Sequence, residues 1–155
     1  MAAHFNSQFL AKVRVDLERD EGVKYEIYND HLGHPTFGIG HLITKCDPEN
    51  GKPVGTPVSK ERVEEVFGKD IQTTLAGCSR LFKDFSALPE EAMLVIVNMM
   101  FNLGETNFAM FIKFRKAVDA QDWSKAADEM ESSMWYKQVT ARAKRLVERI
   151  RKLVR

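Results

Sequence analysis

The sequence predicts a mostly helical α+β chain in which a small antiparallel β-ribbon interrupts a series of helices. Three observations carry this. Apolar residues recur at helical spacing along much of the 155 positions, the stretch Val23 to Tyr28 switches to strand alternation, and Asn29-Asp30 and Gly33-His34-Pro35 follow it with turn chemistry. A chain of this length makes one domain, or two lobes sharing a long helix.

The elements follow in order. Asn6 or Ser7 caps a first helix whose apolar face is Phe9, Leu10, Val13 and Leu17, and Gly22 ends it. Val23, Tyr25 and Ile27 alternate with Lys24, Glu26 and Tyr28 as a strand, and Thr36 to Ile39 is the return strand. Cys46 to Pro57, CDPENGKPVGTP, is a loop with room for a short third strand near Lys52-Pro53-Val54. Ser59 caps a long helix with Val63, Val66, Phe67, Ile71 and Leu75 on its apolar stripe, ending near Gly77. Pro89 takes a first helical position, with Glu90 and Glu91 favouring the same start. Glu91 to Leu103 is apolar almost all round, so it is the buried central helix, stopped by Gly104. Helices follow near 107–120, 123–134 and 140–153.

Composition bounds the function. Apolar residues make up 44% and charged residues 29%, which suits a globular chain and not a disordered one. The longest apolar run, Ala92 to Val97, is far short of the roughly 18 residues that span a bilayer. MAAHFNSQFL lacks a basic region followed by an apolar core, so no signal peptide is expected and the chain is expected to be made in a cytoplasm. Cys46 and Cys78 are expected to be free thiols. Between Lys137 and Arg155 stand eight basic residues and one acid, Glu148, a charge that suits an anionic surface or simply a solvated helix face.

The ribbon carries the chemistry. Two carboxylates in unlike surroundings are the standard equipment for cleaving a glycosidic bond: one delivers a proton to the leaving oxygen and the other activates water or steadies the cationic sugar. Glu21 ends an amphipathic helix where helix meets sheet, and Asp30 lies in a polar turn nine residues on. Alone, such a pair is most often solvated surface charge.

The wider pattern resembles the T-even-phage-type lysozymes. It rests on Asp20-Glu21-Gly22, on Ile27-Tyr28-x-Asp30, and on Thr36-x-Gly38-Ile39-Gly40-His41-Leu42. It continues in Asn98-Met99-x-Phe101-x-x-Gly104-Glu105-Thr106, in Trp135-Tyr136 and in Arg142-Ala143-Lys144-Arg145. The resemblance implies a single domain over 1–155, with a small lobe at about 12–59, a connecting helix at about 60–77, and a helical lobe at about 78–155 that includes the first helix. It implies a monomeric muramidase that cuts the β-1,4 bond between N-acetylmuramic acid and N-acetylglucosamine in peptidoglycan, with inversion and without cofactor or metal. Glu21 is then the general acid, Asp30 the carboxylate that activates water, and Thr36 the hydroxyl that positions it. Leu42, Phe101, Asn102 and Trp135 fall at substrate-facing positions, with Trp135 read as core first. His41 and Asp70 form a structural ion pair, and Arg142 a further structural charge near the acid. Asn102 stands where the family commonly has glutamine, and the 42–59 loop is shorter than in the best-known members. The resemblance also implies release from the cytoplasm through a membrane lesion made by another protein; the basic charge of the C-terminal stretch is expected to help capture anionic envelopes.

Rival readings are weaker. The basic stretch carries no motif that reads nucleic acid, so no nucleic-acid partner is expected. His31, His34, His41 and Asp30 lack a matching second pair for zinc. Gly38-Ile39-Gly40 lacks the third glycine of a dinucleotide site, position 43 being isoleucine. A wall-binding protein without activity would not need Glu21, Asp30 and Thr36 together, and Asp30 disfavours a transglycosylase, which needs one acid.

Overall fold

A computed structural model describes residues 5–154. Met1–His4, the start of the stretch MAAHFNSQFL, and Arg155, the last of the basic residues, lie outside the described residues. The chain divides into two compact units, Arg14–Thr73 and Met1–Val13 with Thr74–Arg155. The helix α1, Ser7–Glu21, and the helix α2, Lys60–Leu81, each supply residues to both.

In the unit Arg14–Thr73, the end of α1 leads into a three-stranded antiparallel sheet: β1 Lys24–Asn29, β2 Pro35–Gly38 and β3 His41–Leu42, in that spatial order. Thr36 pairs with Tyr28 on one side and Leu42 on the other, and Phe37 pairs with His41. The third strand is therefore His41–Leu42 and not the proline-rich stretch near Lys52-Pro53-Val54. Pro53 and Pro57 have no N–H to give a ladder. That stretch instead runs along the free edge of β1, where Ile27 donates to Thr56, Gly55 to Ile27 and Val58 to Tyr25. Ile27 and Phe37 are fully buried, and Val63, Val66 and Ile71 of α2 are buried in the same unit.

Both long helices begin as the sequence requires. The Asn6 side chain accepts from the Phe9 N–H at 2.8 Å, and Ser59 Oγ accepts from the Arg62 N–H at 3.1 Å. Gly22, at φ +74°, closes α1 as expected. The second helix passes through Gly77 instead of ending there. A β-carbon at residue 77 would meet Glu105 Oε1 at 3.1 Å, so this glycine serves close packing.

The other unit is helical. After a short 3-10 helix at Phe85–Ala87 come α3 Glu90–Leu103, α4 Glu105–Ala109, α5 Ile112–Asp119, α6 Trp123–Glu131, α7 Met134–Gln138 and α8 Thr140–Arg151. The third helix is the buried centre, with Leu94 to Met100 all buried and Gly104 at φ +78° ending it. Pro89 caps it from one position outside. Of the expected helices, one is broken in two and another ends early. The 107–120 pattern divides at Met110-Phe111, where Phe108 and Phe114 are both buried and the Arg115 guanidinium donates to the freed Ala109 carbonyl at 2.7 Å. The 123–134 pattern stops at Ser132-Ser133, where Ser133 Oγ caps the next helix by accepting from the Tyr136 N–H at 3.2 Å. In α8, Arg149 pairs with Glu91, and Arg151 with Asp128 and Glu131 at 2.9 and 2.7 Å. Lys137, Lys144 and Lys152 are exposed.

Candidate active site

Helix α1 delivers Glu21 as its last residue, half-buried at the point where the chain turns into β1. The turn between β2 and β3 approaches it from the other side. Gly40, at φ +62°, leaves no room for a side chain: a β-carbon there would stand 2.6 Å from Glu21 Oε2 and 2.9 Å from its carboxyl carbon. Two properties of glycine are used at once, the left-handed backbone and the missing Cβ.

Asp30 heads the turn from β1 to β2. Its Oδ1 accepts from the Leu32 N–H at 2.9 Å and from the His34 N–H at 2.8 Å. Its own N–H donates to the His34 carbonyl, and its carbonyl accepts from Gly33, which sits at φ +84°. Desolvation works to raise the Asp30 carboxyl, but the two amides and the neighbouring His34 and His31 outweigh it and hold the group below its ordinary value. Asp30 is therefore ionised at neutral pH.

Thr36 lies beneath this turn, 3% exposed, and its hydroxyl donates to the His34 carbonyl at 3.0 Å. Across β1, Tyr28 is its direct neighbour in the sheet, so both side chains leave the same face. Burial raises the Tyr28 phenol, and the charges of Glu21 and Asp30 raise it further. One half-buried hydroxyl thus lies within electrostatic reach of both carboxylates. The Lys24 ammonium stands 4.2 Å from the centre of the same ring.

Leu42, the Thr36 partner in β3, is 50% exposed and offers an apolar surface on the ribbon. Beside it His41 turns away into a charged cluster. Its Nδ1 lies 2.7 Å from Asp70 Oδ2 on α2, and its Nε2 lies 2.9 Å from Asp47 Oδ2. Nothing in the spacing of the 46–57 loop singles out Asp47. It accepts in addition from the Thr44 N–H at 2.9 Å and from Arg62 at 3.1 Å, and Arg62 also grips Glu49 at 2.9 and 3.0 Å. Burial lowers the His41 imidazole, but the two carboxylates overcome it and raise the group. The loop after β3 is thereby tied to α2 through His41 and Arg62. The CDPEN composition offered acids for such a tie, but sequence spacing does not say which one meets the histidine.

Phe101, Asn102, Trp135 and Arg142 belong to the helical unit. Trp135 is 2% exposed, and its indole N–H donates to Asn102 Oδ1 at 2.8 Å. The asparagine oxygen thus faces a core tryptophan. Phe101 is half-buried on the last turn of α3. Arg142 is buried, and its Nε donates to Asn98 Oδ1 at 2.8 Å. Among the described residues no group of three or more His, Cys, Asp or Glu side chains is arranged to hold a metal ion.

Against known proteins, the family model for phage lysozyme matches residues 18–152. The chain is 31% identical over 150 residues to probable T4-type lysozyme 2 of Dictyostelium discoideum, with 84% of this chain and 88% of that protein aligned. It is 29% identical over 112 residues to the endolysin of Salmonella phage P22, covering 72% of this chain and 73% of that one. It is also 30% identical over 148 residues to the pre-baseplate central spike protein Gp5 of Enterobacteria phage T4, where the alignment takes in 84% of this chain and 26% of the longer protein.

Proposed function

This chain belongs to the phage lysozyme family, a glycoside hydrolase family acting on peptidoglycan, and from that premise we propose that it hydrolyses the β-1,4 bond from N-acetylmuramic acid to N-acetylglucosamine with inversion. Glu21 protonates the glycosidic oxygen as the bond breaks. Asp30 accepts a proton from a water that attacks the opposite face of the sugar, and Thr36 holds that water with a hydroxyl lone pair. The sugar passes through an oxocarbenium-like transition state, which the Asp30 charge also stabilises.

The observation that carries this reading is the arrangement of the ribbon itself. The carboxylate and the hydroxyl assigned to water are both hydrogen-bonded to one residue, His34, at 2.8 and 3.0 Å. The carboxyl assigned to the leaving group is seated against the Gly40 turn of the same sheet. Asp30 is kept ionised by backbone amides, as a base requires. The glycan strand crosses the exposed Leu42, and the exposed Lys137, Lys144 and Lys152 draw the enzyme to anionic envelopes. The chain works alone as a monomer, made in the cytoplasm of the producing cell and admitted to the wall by a separate membrane lesion.

The test is product chemistry with one substitution. Purified peptidoglycan treated with the parent yields new reducing ends, without 1,6-anhydro ends, and the first-formed anomer is inverted. Glu21→Gln abolishes release and leaves the fold intact. If Glu21→Gln clears a peptidoglycan suspension at the parental rate, the acid assignment is wrong.

A further inference from the structure

His34 stands where the two residues assigned to water meet. Its N–H donates to Asp30 Oδ1 at 2.8 Å, and its carbonyl accepts from the Asp30 N–H at 2.9 Å and from the Thr36 hydroxyl at 3.0 Å. These contacts use only the main chain. The imidazole has a separate position: its Nδ1 lies 3.8 Å from Asp30 Oδ2, the oxygen to which neither turn amide donates. The His34 side chain is 56% exposed and the Asp30 side chain 26%, so the ring lies at the surface beside a partly shielded carboxylate.

We infer that His34 is a positioning residue for the proposed hydrolysis: its imidazole, once protonated, draws on Asp30 Oδ2 and weakens that carboxylate as the partner of the attacking water. This rests on the assignment of Asp30 made above. When the ring is neutral, Oδ2 is open to accept from water. When the ring is cationic, its charge 3.8 Å from Oδ2 makes that oxygen a weaker acceptor for water and opposes the positive charge growing on the sugar. Imidazoles as a class change charge between about pH 5 and 8. Asp30 is already ionised there, because its carboxyl is held below the ordinary range. The other groups that bear on this carboxylate are His31 in the same turn and Tyr28 on β1, whose raised phenol keeps its proton through the same interval.

The experiment compares the parent with His34→Asn, which cannot carry the charge, and His34→Lys, which carries it throughout. Initial rates of reducing-end release from solubilised glycan strands are measured at low salt at pH 5 and pH 8, with melting temperatures recorded at each. At pH 5, His34→Asn turns over roughly two to five times faster than the parent, the size expected of an exposed ion pair. At pH 8 the two are equal, and His34→Lys is slower than both. The differences lie in kcat, and KM is unchanged. His31→Asn, a control on the neighbouring charge, leaves the larger part of the parental pH dependence in place. An Asn-to-parent ratio that is the same at both pH values, or His34→Lys matching the parent at pH 8, overturns the inference while leaving the muramidase reading intact. A folded parent that releases no reducing ends at any pH overturns both.

Discussion

The α-carbon of Gly40 lies so close to the Glu21 carboxyl that a β-carbon built on it would stand 2.6 Å from Oε2. The turn after β2 is in this sense a wall for the carboxyl proposed as the acid. Gly40→Ala forces the carboxyl to move and strains a backbone held at φ +62°. Displacing a reacting group by about 1 Å is enough to lose on the order of 100-fold in rate, while the backbone strain costs about 1 to 2 kcal/mol. The expected outcome is a variant that melts a few degrees lower and has lost most of its lytic rate. A turbidity assay beside a thermal melt checks it. Parental activity in Gly40→Ala would mean that the Glu21 position tolerates this shift.

His41, between Asp70 and Asp47, gives stability a definite pH dependence. Its imidazole is raised in the folded chain, so its contribution is complete below the ordinary histidine value, about 6.5, and is lost as pH rises through the higher folded value. Asp47 works in the opposite direction. Burial raises its carboxyl, but the Thr44 amide and His41 outweigh that and lower it, so its contribution is complete above about pH 4 and is lost in acid. The melting temperature should therefore be highest between about pH 4 and 6.5 as far as this cluster is concerned. In His41→Asn the fall on the alkaline side should flatten. Calorimetric melts from pH 3 to 9 on the parent and the variant measure it. An alkaline decline of equal slope in both would remove His41 as its cause.

Much of this architecture is legible in the chain because local chemistry and burial agree. Asn6, Ser59 and Gly22 mark helix ends by hydrogen bonds or backbone geometry that involve only near neighbours, and the structure uses them in that way. Other signals are ambiguous by nature. Gly77 has the composition of a helix stop, yet the glycine serves to admit Glu105, a residue 28 positions away whose proximity no local rule predicts. The break at Met110-Phe111 contains neither glycine nor proline and is compensated by Arg115 from the following helix. The site divides in the same way. The resemblance to the lysozymes is what singles out Glu21, Asp30 and Thr36 for the proposed site, whereas the grip of Asp47 on His41 depends on how a proline-containing loop folds back.

That loop is secured mainly by Arg62. Its guanidinium reaches Asp47 at 3.1 Å, Glu49 at 2.9 Å and Glu65 at 3.1 Å, and its side chain is 19% exposed. Glu49 is itself 9% exposed, and the Arg62 hydrogen bond is the main reason its carboxyl lies below the ordinary range. Arg62→Ala leaves that carboxylate buried without its cation, a change that costs about 3 kcal/mol when the partner is well shielded. Arg62→Ala is expected to unfold at distinctly lower urea, and Arg62→Ala with Glu49→Gln to regain part of the loss. Urea titrations of the single and double variants form the cycle. Strictly additive effects would show that the two residues do not stabilise each other.

The two cysteines should behave differently toward a thiol reagent. Cys46 is exposed in the loop after β3, and Cys78 is buried in α2 at 0% exposure. Burial pushes the Cys78 thiol far above its ordinary value, and the charge of Glu105 pushes it further, so it has almost no thiolate at neutral pH. Thiolate is the reactive form, and Cys78 reacts only when the helical unit opens. The native protein should therefore consume one equivalent of a disulfide reagent within minutes and the second at a rate set by unfolding. In denaturant both should react at once. Cys46→Ser should remove the fast phase and leave the slow one, whose rate then reports the opening of the unit that holds Cys78. A fast phase that persists in Cys46→Ser would mean that Cys78 is reached from solvent without unfolding.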